Sequence, residues 1–256
     1  MDDVADLVAW WLGPLDGRAA GDDGWWEQDA DEPAYAASLV KVPLAVAAED
    51  VDLDRAVLVH ADFASAVGGR FTLDRDDDQD DATWDAVGEH VTLRELRRRA
   101  IVESSNIATN LLLEEVGVPA VQRVLAAAGC SDRTTVTRGI GDLAARDAGL
   151  ANDVTARDLA RLLRRVPPAV EDVMRGQAHR EAIPAGLPSG PDAPVVANKT
   201  GWVDGITHDM AIVRPVDAEP FVLVVLTRTD ESHEAAQERI AAIAAEAWQR
   251  AGERRP

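Results

Sequence analysis

Lysine is almost missing from this chain. Two of its 26 basic residues are lysines, Lys41 and Lys199, and the rest are arginines. Cysteine is scarcer still: Cys130 stands alone, which excludes an internal disulfide and a cysteine-built metal cluster. Coming after the apolar VQRVLAAAG, it reads as a buried structural thiol. The five histidines (His60, His90, His179, His208 and His233) include no pair at metal-ligand spacing, so neither a metal nor another cofactor is expected. No run of about 18 apolar residues occurs, which excludes a membrane-spanning helix. The opening MDDVADLVAWWLGPLDG is acidic where a signal peptide would be basic, and a cytoplasmic chain is expected unless a leader has been trimmed. Positive charge is in deficit, with a formal net charge of −20. That argues against nucleic acid and anionic membranes as partners and leaves a small-molecule or peptide substrate.

What is present is ordinary for a globular protein: 256 residues, 46% hydrophobic and 28% charged, enough for one large domain or two packed lobes. Val4, Leu7, Val8 and Trp11 are spaced for an amphipathic first helix. Residues 17 to 35 could hold two short strands, and residues 60 to 85 read as loop. Within that loop Asp76, Asp78 and Asp80 lack the glycine and the closing glutamate of a calcium loop, so a solvated acidic loop is expected. The middle is helical: TLRE from Thr92 and TARD from Thr155 have the form of capping boxes. IATNLLLEEVG closes at Gly117, and VPAVQRVLAAAG carries Pro119 at its start and Gly129 at its end. PVVANKTG, HDMAIVRP and PFVLVVLTRT then read as consecutive antiparallel strands. A terminal helix follows, with Ile240, Ile243, Ala244 and Trp248 on one face. Strands at both ends and helices between predict an antiparallel sheet built from both termini, with a helical lobe inserted. The boundaries expected are 1–58 with 182–256 for the sheet lobe and 59–181 for the insert, with a cleft at their junction.

Both lysines lie in short motifs. Ser38 and Lys41, in ASLVKVPLAVAA, sit one helical turn apart. Arginine could not serve there as a proton acceptor, because it stays charged in proteins while a buried lysine need not. Ser104, Ser105 and Asn106 fall in a break between helices, and Lys199, Thr200 and Gly201 end a strand before a turn. Each alone has a structural alternative: a serine N-cap with a solvated lysine, a second cap cluster, and a strand end with a glycine turn.

Taken in order and in these settings, S-x-x-K, S-x-N and K-T-G resemble the penicillin-recognising serine hydrolases, and among them the class A β-lactamase-like group. The resemblance runs from the first helix to the last. It implies an α/β fold of the α+β sandwich type: a five-stranded antiparallel sheet flanked by the terminal helices, with an inserted all-helical lobe. It implies Ser38 as the nucleophile of an acyl-enzyme, Lys41 as proton acceptor, and Ser104 as the serine that passes the proton to the leaving nitrogen. Asn106 would orient Lys41 and the acyl side chain. Lys199 and Thr200 would receive a substrate carboxylate, and Gly201 would let substrate lie along the strand. The amides of Ser38 and Trp202 would form an oxyanion hole, worth about 3 kcal/mol per donor, with the Trp202 ring as a cleft wall.

Two departures qualify the resemblance. Ser105 stands where the family motif has aspartate. The segment TRGIGDLAARDAGLANDVTARD contains no glutamate, whereas the class A loop carries E-x-x-L-N, whose glutamate activates the deacylating water. Asp142, Asp147 and, more remotely, Glu103 are the replacements to consider. The expected function is a β-lactamase-like serine hydrolase acting through Ser38 on an amide, ester, peptide or β-lactam without the usual deacylating glutamate. The alternatives are an acyltransferase resembling DD-peptidases and penicillin-binding proteins, or a non-catalytic ligand-binding relative.

Overall fold

The segment FVLVVLTR has no polar residue in its first six positions, which suits a strand covered on both faces. It forms the centre of the sheet. The structure, a computed structural model, describes residues 6–16 and 24–253. Five strands, β1 (Leu7–Pro14), β2 (Trp26–Gln28), β3 (Val195–Val203), β4 (Ile206–Arg214) and β5 (Phe221–Arg228), lie in the order β2-β1-β5-β4-β3 with antiparallel neighbours. Phe221, Leu223 and Val225 of β5 face one core cluster, and Val222, Val224 and Leu226 face the other. This is the sheet that the motifs imply.

One element differs. Where helical spacing predicts a first helix, Leu7–Pro14 is a strand paired residue for residue with Phe221–Arg228; Val4 lies outside the described residues. The segment carries both periods, since Leu7, Ala9 and Trp11 also alternate, and all three are buried. Eight cross-strand pairs against β5 decide in favour of the strand. Both short strands between 17 and 35 form, as β2 and as Ala34–Tyr35, which pairs with Asp153–Val154; residues 17–23 lie outside the described ones.

Nine α-helices occur among the described residues: α1 (Lys41–Ala47), α2 (Asp81–Asp85), α3 (Leu93–Val102), α4 (Asn106–Val116), α5 (Val118–Ala128), α6 (Leu143–Asp147), α7 (Ala156–Leu163), α8 (Pro168–Met174) and α9 (His233–Gly252). The punctuation read from sequence holds. Thr92 and Thr155 accept from the amides three residues on, Gly117 follows α4, and Gly129 ends α5 in the left-handed region at φ 82°. Helix α9 packs Ile240, Ala244 and Ala247 on the outer face of the sheet, with Ile243 and Trp248 at the margin. On the inner face α7 packs against β1, β5 and β4 and α8 against β3, while α3, α4 and α5 pack around α1. Helix α1 is buried at six of its seven residues, Lys41 among them. The Cys130 thiol donates to the Asp158 carbonyl, and burial pushes its pKa up to about 12. None of the helices described is long and apolar enough to cross a membrane.

Residues 60 to 85 are more ordered than a loop. Asp62–Ala64 pairs with Arg70–Thr72, a 3₁₀ turn covers Arg75–Asp77, and α2 closes the segment. Its aspartates are not simply solvated. Asp80 is buried and caps α2, while Asp78 caps α4, as described below.

Candidate active site

Ser38 sits in a 3₁₀ turn, Ala37–Val40, that runs straight into α1. The turn is held at several points. Ala36 N–H donates to the Asn152 carbonyl at 2.8 Å, and Leu39 N–H donates back to Ala36 at 3.0 Å. His208, fully buried on β4, has Nε2 3.0 Å from the Tyr35 carbonyl, while its Nδ1 accepts from Thr227 N–H at 3.1 Å. Burial lowers the His208 pKa to about 4, so the ring is neutral, and its two nitrogens lie against the carbonyls of Tyr35 and Thr207. Ala37, next to the serine, is left-handed at φ 45°. Strain in a non-glycine residue of this kind concentrates where the surroundings over-determine a functional geometry.

Lys41 follows one turn on, and its ammonium is enclosed. Nζ lies 2.5 Å from the Ser104 carbonyl, 2.8 Å from Asn106 Oδ1 and 3.2 Å from Ser104 Oγ. Burial, reinforced by the Lys199 charge, holds its pKa well below the usual lysine value, and only Asp78 opposes them. Ser104 is itself fully buried and left-handed at φ 62°.

Lys199 reaches the same hydroxyl from β3. Its Nζ is 3.0 Å from Ser104 Oγ and 2.8 Å from the Thr200 carbonyl. Burial lowers its pKa to about 7, against the opposing charge of Asp209. Asp209 is a buried carboxyl on β4 that accepts from Ile183 N–H and Asn198 Nδ2, and burial raises it to about 7. The two lysines of the protein thus meet at one serine oxygen. Two buried ammoniums sharing an acceptor resist being charged together, which favours one neutral amine.

The break between α3 and α4 presents Ser104 and Asn106. Ser105, in the family's aspartate position, is the N-cap of α4 and accepts from Ala108 N–H at 3.2 Å. A carboxylate reaches this turn from Asp78, which accepts from the amides of Asn106 at 2.9 Å and Ile107 at 2.8 Å. Asn106 also donates through Nδ2 to the Asp77 carbonyl at 2.6 Å, leaving its Oδ1 for Lys41.

Lys199, Thr200 and Gly201 lie within β3, two residues short of its end. A Cβ at Gly201 would come within 2.9 Å of the Ser38 amide nitrogen and 3.2 Å of that of Leu39. The strand can therefore approach the serine turn only with glycine there. Trp202 is half-buried and borders the cleft together with Ser38 and Asn106. The Thr200 hydroxyl is buried and has no hydrogen-bond partner among the described residues.

The cleft measures about 760 Å³. Its far side is the loop 137–152, held by two asparagines. Asn110 exchanges two bonds with the main chain of Ile140, and Asn152 does the same with Arg138. The three carboxylates considered as replacements for the family glutamate are engaged elsewhere. Asp142 is fully buried, caps α6 through Ala145 N–H, and accepts from Ser65 Oγ and Ala66 N–H. Asp147 is exposed and pairs with Arg146, while Glu103 faces Arg98. The carboxylates that line the cleft are Asp76 and Asp77. Among the described residues no group of histidine, cysteine and acidic side chains is arranged to hold a metal.

The lysines, serines and glycine assembled here are legible in the sequence, whereas Asp78, His208, Asn198 and Asp209 are not, because they act on them across the fold. For Asp78 the one available signal is the serine in the family's aspartate position.

Residues 17–251 match the model of a family described as the beta-lactamase enzyme family. A β-lactamase of Bacillus licheniformis is 30% identical over 191 residues, a match spanning 68% of this chain and 61% of that relative's length. In structure the chain is similar to a β-lactamase from Sphaerobacter thermophilus (TM-score 0.77, 23% identity, 97% of this chain and 92% of the other). It is also similar to PBP-A (TM-score 0.74, 19% identity, 97% and 91%).

Proposed function

This chain belongs to the β-lactamase enzyme family, and on that premise we propose that it is a serine hydrolase that forms an acyl-enzyme on Ser38 and releases it slowly. The observation that carries the reading is the meeting of Lys41 and Lys199 at the Ser104 hydroxyl. A desolvated, neutral Lys41 accepts the Ser38 proton as Oγ attacks the acyl carbonyl. The amides of Ser38 and Trp202 receive the developing oxyanion. Ser104, in contact with both lysines, passes a proton to the departing nitrogen or oxygen. The sheet lobe (1–58 and 182–256) and the inserted helical lobe (59–181) supply the two walls of the cleft.

Slow release rests on the loop 137–152. Asp142 spends its carboxylate on a hairpin and a helix end, so the class A arrangement for activating water has no counterpart there. The same feature favours a second reading, an acyltransferase like the penicillin-binding proteins, in which an amine rather than water accepts the acyl group. Incubation with a fluorescent penicillin and with an activated phenylacetyl thioester, followed by intact mass, tests both. A Ser38 adduct that persists and is absent from Ser38→Ala supports the acyl-enzyme. Faster loss of the adduct on adding an amine supports the acyltransferase. No adduct from either reagent rejects both readings.

A further inference from the structure

Trp202 borders the cleft with Ser38, a groove of about 340 Å³ that it shares with Thr207 and His233, and a cavity of about 30 Å³ lined by Thr200, Thr207, His179, His233 and Gln237. That last volume is about one water's share of the liquid. The indole is clamped between two imidazoles: His179 meets it edge-on with centroids 4.8 Å apart, and His233 lies tilted at 5.6 Å. His233 is fixed in turn. Gln237 Nε2 is 3.1 Å from its Nε2, and its Nδ1 is 2.9 Å from Thr207 Oγ1. Burial and the nearby Lys199 lower the His179 pKa, which disfavours a charge on that side of the indole.

Thr200 lines the small cavity and neither of the other two spaces. It is 5% exposed and its hydroxyl is orphaned, although it belongs to the motif expected to receive a substrate carboxylate. No arginine borders the small cavity. The two that border the cleft, Arg138 and Arg146, belong to the loop 137–152 and not to the strand wall. Lys199 is already committed to Ser104 and the Thr200 carbonyl. A carboxylate arriving at Thr200 would have to displace a clamped aromatic ring and bury its charge without a guanidinium partner, which is costly.

We propose that Trp202 determines specificity, closing the Thr200 side of the cleft so that Ser38 is acylated by esters and thioesters with an uncharged leaving group in preference to those with a carboxylate. The proposal rests on the acyl-enzyme reading above. With a thioester, the bond from Ser38 Oγ to the acyl carbon forms and the carbon–sulfur bond breaks. The Ser38 proton travels through Lys41 and Ser104 to the departing thiolate, and water later cleaves the acyl-serine.

The test uses two phenylacetyl thioesters that differ only in the leaving thiol, thioglycolic acid or its methyl ester. Thiol release gives kcat/KM for each, divided by its uncatalysed hydrolysis rate. The wild-type chain is expected to favour the methyl ester by about ten-fold or more. Trp202→Ala should lower that ratio about ten-fold, and His179→Ala, which loosens the clamp while keeping the indole, should lower it in the same direction. Equal use of both thioesters by the wild type, or an unchanged ratio in the folded variants while Ser38 is still acylated, overturns the gate alone. Absence of any Ser38 adduct from either thioester overturns the acyl-enzyme reading and the gate together.

Discussion

Asp78 sets the position of Asn106 from outside the helix that Asn106 begins. Its Oδ2 accepts from the Asn106 amide at 2.9 Å, and the Asn106 side chain then points its own oxygen at Lys41. The same carboxylate is the one charge that raises the Lys41 pKa against burial and Lys199. Asp78→Asn is therefore expected to weaken the start of α4 by about 1 kcal/mol. It should also move the acid limb of the acylation rate to lower pH, because Lys41 then loses its proton more readily. Denaturant melts and a pH–rate profile check the two effects; a limb that stays in place assigns it to another group.

Lys41→Arg should remove acylation while keeping a positive charge, because arginine does not give up its proton. The loss expected of a general base is about 10²–10⁴ in rate. Circular dichroism reports whether the larger head has been accommodated, and Lys41→Met serves as the neutral control. Near wild-type acylation by either variant would assign the base elsewhere.

Gly201→Ala tests the approach of the strand to the serine turn. The added Cβ meets main-chain nitrogen at 2.9 Å, not a yielding side-chain tip. A stability cost of about 1–3 kcal/mol is expected, with acylation down by about ten-fold or more because the Ser38 amide is pushed off position. Thermal melts and single-turnover labelling measure them; a variant that matches the wild type in both would show the turn to be free to move.

Lys199 links stability to pH. Its pKa is about 7 in the folded chain against an ordinary 10.5, so between those values the unfolded chain holds the extra proton. Stability then rises with pH across that window and is lowest at its acid end. Relative to Lys199→Met, the wild type should gain up to about 1 kcal/mol per pH unit from pH 7 to 9. Urea unfolding at stepped pH gives the difference, and parallel curves would reject it.

The loop carboxylate makes the opposite kind of prediction. Asp142→Ala removes a helix cap and two hairpin bonds, so stability should fall by about 1–2 kcal/mol. The lifetime of the Ser38 acyl-enzyme should stay as it was, since the carboxylate does not serve water. Intact mass against time decides: an acyl-enzyme that lasts far longer in the variant would restore Asp142 as the activating base.

Legibility followed distance along the chain. Thr92, Thr155, Gly117 and Gly129 act on amides or backbone within a few residues, and each could be read where it stood. The two lysines stood out because the chain otherwise uses arginine, and their neighbours carried the family pattern. The first strand is ambiguous in the sequence because Leu7 and Trp11 satisfy both periods, and only pairing with a segment more than 200 positions away selects one. Asp78 looked like part of a charged loop until the fold set it against α4. His208 reaches a carbonyl 173 residues away, which no local pattern encodes. Whether any acidic residue of the loop 137–152 meets a water was equally closed to sequence, because Asp142 differs from a catalytic aspartate only in what it touches.

Asn110 grips the loop 137–152 through the main chain of Ile140 alone, offering its amide as a stand-in for a neighbouring strand. A grip of that kind is blind to what residue 140 and its successors carry. Side chains such as Ile140, Leu143 and Arg146, which border the cleft, can then be exchanged while the loop keeps its place. In this chain the far wall of the cleft is a replaceable facing on a fixed frame, and substrate preference there can drift or be redesigned without moving the serine and the lysines.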